Sequence, residues 1–137
     1  MTSIRDAMTS NPCSIDADKP ASYAAKMMRD EDVGLAPIVE GDRLIGTLTD
    51  RDIAIRVVAE GKDPESTKVR EIASTDLVTV DPQQDLDEAL RLMAQHQVRR
   101  LPVVEEDGRL VGVVAQADVA EHASARKTGQ VVEQISK

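Results

Sequence analysis

Thr49-Asp50-Arg51-Asp52 puts a hydroxyl, two carboxylates and a guanidinium within four consecutive residues. A carboxylate accepts hydrogen bonds from both hydroxyls of a ribose cis-diol. A hydroxyl and a guanidinium are donors suited to a phosphate. Thr49, Arg51 and Asp52 are therefore candidate ligand-binding residues. The same residues have a purely structural reading. Thr49-x-x-Asp52 is close to a helix capping box, with aspartate as a shorter stand-in for glutamate, and Asp50 is itself an eligible cap. A cap contributes roughly 0.5–2 kcal/mol, enough to retain Thr49 for stability alone.

This start is written twice in the chain. Residues 4–58 lie over residues 69–123 with an offset of 65, which becomes 66 after the inserted Gly108. Identities include Arg5/Arg70, Asp16/Asp81, Met28/Met93, Val33/Val98, Pro37/Pro102, Glu40/Glu105, Gly46/Gly112 and Asp52/Asp118. A unit of about 55 residues is too small to hide its own hydrophobic face easily, so the two copies are expected to pack on each other. Copy two keeps Asp118 but has Ala115 where copy one has Thr49. Alanine has no hydroxyl to offer, so copy one is the better equipped. Asp118 persists with no threonine to complete a capping box, which weighs towards a ligand role for the aspartate.

The elements that must carry these residues follow from pattern. Cys13–Ile15 and Val78–Val80 read as short strands. Leu86, Ala89, Leu90 and Met93 sit at i, i+3, i+4 and i+7, one face of a helix, and Ala21, Ala24, Ala25 and Met28 hold the equivalent places. Pro20 suits a first helical turn, and Asp85, Asp87 and Glu88 suit a helix N-terminus. Leu35–Val39 with Leu44–Thr49, and Leu101–Val104 with Leu110–Val114, flank charged, glycine-containing turns and read as hairpins. A second helix starts near Asp50 or Gln116. The predicted order is β-α-β-β-α, twice, an α+β fold. Its units are residues 4–59 and 69–123, joined by the polar linker 60–68. In the tail, 124–137, Val131, Val132 and Ile135 share one side, which fits a short helix or a frayed end.

Composition excludes several functions. Tyr23 is the only aromatic, which leaves no stacking platform for single-stranded nucleic acid. Seventeen basic residues against 25 acidic give a net charge of −8, the opposite of a nucleic-acid footprint. Cys13 is the single cysteine, so no intrachain disulfide forms and a reducing cytoplasm is the expected compartment. No membrane-spanning run and no secretory signal pattern are found.

The Val-Gly-Leu-Ala-Pro-Ile-Val and Val-Arg-Arg-Leu-Pro-Val-Val strands, the Asp-Arg-Leu-Ile-Gly and Gly-Arg-Leu-Val-Gly hairpins and the Thr-Asp-Arg-Asp helix start resemble the CBS domain, over roughly residues 4–123. The resemblance implies two CBS units packed through their sheets as a pseudo-twofold pair, a Bateman module. It implies a stand-alone, non-catalytic regulatory protein similar to small bacterial stress-associated members and commonly a homodimer. Many such modules bind AMP, ADP, ATP or S-adenosylmethionine in their clefts, as regulatory ligands and not as required cofactors. Gly46, Thr49 and Asp52 match the pattern Gly-hydrophobic-x-Thr/Ser-x-x-Asp, which implies Asp52 on the ribose and Thr49 on a phosphate. Family likeness also adds Arg100, just before the copy-two inner strand, as a phosphate contact, against a plain reading as a solvated strand-entry charge. It places the backbone of Pro37, Ser14 and Ile15 around the base. The rival reading is a ligand-free dimeric interaction or stress-response scaffold; both readings expect an unidentified protein partner.

Other motifs are set aside. Cys13, His96 and His122 match no standard zinc spacing. Met27, Met28 and Met93 read as packing. No P-loop, Gly-x-Gly-x-x-Gly, Gly-x-Ser-x-Gly or His-Glu-x-x-His is present, and no catalytic constellation is seen.

Overall fold

Each hairpin is built by a short aliphatic run on either side of a charged turn, and each helix by a stripe of small and aliphatic residues. The computed structural model describes residues 2–122. In chain order the elements are α1 (Ile4–Ala7), β1 (Thr9–Ser10), β2 (Ile15–Asp16), α2 (Ala21–Glu31), β3 (Leu35–Glu40), β4 (Arg43–Thr49) and α3 (Asp50–Ile53). α3 runs on into a π-helical stretch, Ala54–Val58. Then come α4 (Val69–Ile72), α5 (Leu86–His96), β5 (Arg100–Val104) and β6 (Leu110–Ala115), followed by helix α6 over residues 116–122. The tail predicted for 124–137 lies outside the described residues.

The chain divides into two compact units that interleave in sequence. The copy-one unit holds residues 12–77 and 106–110; of the described residues, the copy-two unit holds 2–11, 78–105 and 111–122. In the copy-one unit, β2 runs parallel to β3, with Ile15 opposite Ile38, and β3 pairs antiparallel with β4, with Leu35 opposite Thr49. Gly41, at φ 66°, makes the tight turn between β3 and β4, where a side chain would be strained. Ile15, Ala21, Ala24, Ala36, Ile38 and Leu48 are fully buried and form the core with Met28. In the copy-two unit the sheet order is β1-β6-β5. The strand expected at Val78–Val80 contracts to one parallel bridge, Val80 to Val103.

The predicted helix stripe is narrower than four positions. Ala21, Ala24 and Met28 are buried in α2, and Leu86, Ala89 and Met93 in α5. Ala25 is exposed and Leu90 is 38% exposed, so the i+4 position faces outwards. Pro20 is the N-cap of α2 and not its first residue. Asp85 caps α5, accepting from the Asp87 N–H at 2.9 Å.

Two short helices that pattern did not reveal, α1 and α4, tie the frame together. Each stands at the head of one repeat and packs on the body of the other. Val69 and Arg70 N–H donate to the carbonyls of Lys19 and Ala17, and Ala21 N–H to that of Thr67. The same three bonds recur at the equivalent positions: Ile4 N–H to Gln84, Arg5 N–H to Pro82, and Leu86 N–H to Thr2. Ion pairs repeat the exchange, with Arg70 at 3.7 Å from Glu40 and Arg5 at 3.2 Å from Glu105. After each short helix the leader adds an edge to a sheet. Ser74 pairs with Thr47 beside β4, and β1 pairs with β6, Thr9 opposite Val113.

Gly46 and Gly112 make this docking possible. A Cβ on Gly46 would lie 3.0 Å from the Ser74 carbonyl oxygen. One on Gly112 would lie 2.6 Å from Met8 Sδ and 2.9 Å from the Thr9 carbonyl oxygen. Backbone cannot yield there as a flexible side chain can. Gly112→Ala is therefore expected to lower unfolding stability by about 1–3 kcal/mol, the usual range for overpacking, read as a fall in the urea midpoint. An unchanged midpoint would show that the leader is not held tightly against β6.

Candidate ligand site

β4 ends at Thr49 and the chain turns directly into α3, so the four residues of the motif are the junction itself. Thr49 is the N-cap, in extended conformation at φ −110° and ψ 162°. Its Oγ1 accepts from the Asp52 N–H at 3.0 Å, and its own N–H donates to Asp52 Oδ2 at 2.9 Å. The capping box is thus fully formed. Asp50 is not the cap; its Oδ1 accepts from the Arg51 N–H at 2.8 Å.

Capping leaves chemistry to spare. A hydroxyl that accepts one bond keeps its O–H free to donate, and a carboxylate offers about four acceptor positions. The Asp52 side chain remains 19% exposed. Arg51 is exposed, and its guanidinium makes no hydrogen bond or ion pair among the described residues.

The copy-two counterpart corrects one inference. Asp118 Oδ2 accepts from the Ala115 N–H at 3.0 Å, half of the same box. The carboxylate at the third helical position caps the strand-to-helix junction even without a threonine. Its persistence beside Ala115 is explained by this bond and carries no weight for a ligand.

The remaining candidates divide between the units. Ser14, Ile15, Pro37, Thr49, Arg51 and Asp52 belong to the copy-one unit; Arg100 and Asp118 belong to the copy-two unit. Ser14 is exposed just before β2, whereas the Ile15 side chain is fully buried in the core, which leaves only its backbone for a ligand. Pro37 is the third residue of β3, opposite Thr47. Pro102 is likewise internal to β5, and its carbonyl already accepts from Val80 N–H at 3.1 Å. Arg100 is half-buried in β5 with no ion pair among the described residues.

Two features escaped the sequence reading. Arg56, in the π-helical stretch, lies beside Asp52, with its Nε 3.9 Å from Oδ1. Its i, i+4 spacing from Asp52 was the available signal. A cleft of about 390 Å³ opens between α2 and α3, lined by Ala25, Met28, Arg29, Asp32, Val33, Gly34, Asp50 and Ile53. It shares only Asp50 with the motif. No group of three or more His, Cys, Asp or Glu side chains forms a metal site among the described residues.

Two α+β units with exchanged leaders, each ending a hairpin on a carboxylate-capped helix, define a paired-repeat regulatory type of module. The chain belongs to the CBS domain family, whose sequence profile matches residues 4–59 and 69–125. It is 42% identical to the CBS domain-containing protein YhcV of Bacillus subtilis, over 99% of this chain and 96% of that protein. It is 40% identical to hypoxic response protein 1 of Mycobacterium tuberculosis, over 98% and 94%. A crystal structure of hypoxic response protein I with two coordinated zinc ions superimposes with a TM-score of 0.81 at 42% identity, over 89% of this chain and 99% of that one. The fold is shared as well with CBSX2 in complex with AMP, at a TM-score of 0.82 and 22% identity, over 93% and 99%.

Because copy two folds around half a capping box, Thr49→Ala is expected to leave the protein folded. Its stability should fall by about 0.5–2 kcal/mol, measured by denaturant unfolding, with Thr49→Ser close to the parent. Loss of the folded state would mean that the junction in copy one depends on Thr49 in a way copy two does not.

Proposed function

We propose that this chain is a non-catalytic sensor that binds an adenine nucleotide or related adenosyl compound at the copy-one junction. AMP, ADP, ATP and S-adenosylmethionine are the ligands of suitable chemistry. Asp52 takes the ribose hydroxyls, and Thr49 and Arg51 take the phosphate. The backbone of Ser14, Ile15 and Pro37 frames the base.

The observation that carries this reading is a contrast between the copies. Most identities between them have a structural duty: the leader arginines pair with glutamates, the glycines admit the leaders, and the aspartates cap helices. What copy one adds is a hydroxyl proton at Thr49 and a guanidinium at Arg51 that have no acceptor among the described residues, against Ala115 and Ala117. Neither addition is needed for the fold. The AMP complex of CBSX2 supports the ligand class. Binding would act by favouring one of two states of the module or of a homodimer, read by a protein partner.

Thermal unfolding with each of the four ligands is the first test, followed by calorimetry. A ligand at 100 times its dissociation constant stabilises the native state by about 2.7 kcal/mol. The rise in melting temperature should vanish in Asp52→Ala and shrink in Arg51→Ala, and Ala115→Thr should raise affinity or stoichiometry. No response to any of the four would overturn the nucleotide reading in favour of a ligand-free scaffold.

One observation favours a second reading, zinc binding. The hypoxic response protein structure holds two coordinated zinc ions, and this chain offers Cys13, His96 and His122. The described residues of one chain assemble no zinc set, so donors from a second copy or from outside the described residues would have to complete it. Zinc bound per chain, measured with and without His96→Ala and Cys13→Ser, decides this: retention lost in the variants supports it, and no retention in the parent retires it.

A further inference from the structure

Arg56 has two acceptors on opposite sides. Its Nη1 donates to the Ile72 carbonyl at 3.0 Å, and its Nε faces Asp52 Oδ1 at 3.9 Å. Ile72 is the last residue of α4, where a helix leaves carbonyls without intrahelical partners. Arg56 therefore caps the leader helix of copy two while leaning on the carboxylate of the copy-one junction. An exposed ion pair alone contributes little, but here it orients a guanidinium already engaged elsewhere. The sequence counterparts in copy two are His122 and Ala7, so the arginine is, like Thr49 and Arg51, particular to copy one.

We infer that Arg56 is a positioning residue that couples occupancy of Asp52 to the hold on the leader segment 69–77. This segment is where the chain passes from the copy-one unit to the copy-two unit, at Leu77 and Val78. Hydroxyls donating to Asp52 draw on the charge that orients Arg56, and its grip on the Ile72 carbonyl loosens. The signalling part rests on the nucleotide reading; the link Asp52–Arg56–Ile72 does not.

Hydrogen exchange on the full chain tests it, in the parent, Asp52→Asn, Arg56→Met and the double variant. The probes are the amides of Ala73 and Ser74, which donate to the Val69 and Thr47 carbonyls at 2.9 and 2.8 Å. Val104, whose amide donates to the Val80 carbonyl, is the reference for general loosening. Arg56→Met and Asp52→Asn should each speed Ala73 and Ser74 by at least about threefold relative to Val104, the scale of coupling between neighbours. The double variant should go no further than Arg56→Met. Multiplicative effects in the double variant, or no effect of Asp52→Asn, would overturn the link. With AMP bound, the two amides should speed up in the parent and not in Arg56→Met; a persisting response in that variant would overturn the relay. If AMP does not bind, the hydrogen-exchange arm is run with whichever of ADP, ATP and S-adenosylmethionine does; if none of the four binds, the nucleotide reading falls, and the ligand-free cycle still decides the link.

Discussion

The structure depends on the exchange of leaders. A hairpin sheet with two helices leaves an open edge and an uncovered flank, and the segment that fills them comes in each case from the head of the other repeat. The exchange is specified at three levels at once. Backbone bonds fix the register, as in Val69 to Lys19 and Ile4 to Gln84. The arginine–glutamate pairs orient the short helices, and glycines at equivalent positions of β4 and β6 leave room for the leader backbone. Covering a sheet edge in this way also removes a template for unwanted strand pairing. Neither unit is complete without a leader taken from the far side of the repeat boundary.

That economy explains how one carboxylate can serve both the capping and the proposed binding. The strand-to-helix junction needs an acceptor for an orphan amide, and an aspartate at the third helical position supplies it in both copies. A carboxylate held by a backbone bond is oriented, and its remaining acceptor positions face out at a fixed place. A preorganised group of this kind loses little freedom on binding. Copy one surrounds this group with the Thr49 hydroxyl, Arg51 and Arg56. Copy two surrounds it with Ala115, Ala117 and His122. The repeat has preserved the frame in both and kept polar chemistry around the junction in one.

Internal repetition thus serves as a control within a single sequence. Positions identical between copies mark what the fold requires: buried methionines in the helices, turn aspartates, capping aspartates, leader arginines. Positions that differ at the surface of an otherwise equivalent junction mark what the fold can do without. Asp118 shows the need for structure in applying this rule, because identity alone pointed towards a ligand, and a single hydrogen bond to Ala115 accounts for it.

The amino-acid sequence by itself determined the number of units, the order of their main elements, the aliphatic core and the motif at the junction. These depend on local periodicity and on turn residues, which act over a few positions and repeat at a constant offset. Only the tertiary structure decided which repeat each leader serves. Ile4 and Val69, or Arg5 and Arg70, look alike in sequence, yet the partners of the first of each pair lie some eighty residues ahead and those of the second some fifty residues behind. It also decided that Ala25 and Leu90 face outwards, because helix burial depends on what lies opposite and not on spacing alone. The pairing of Arg56 with both Asp52 and Ile72 was settled in the same way: one contact is a helix turn distant, but the other spans 16 residues, and no local pattern connects a π-helical arginine to the end of a helix that belongs, by sequence, to the next repeat.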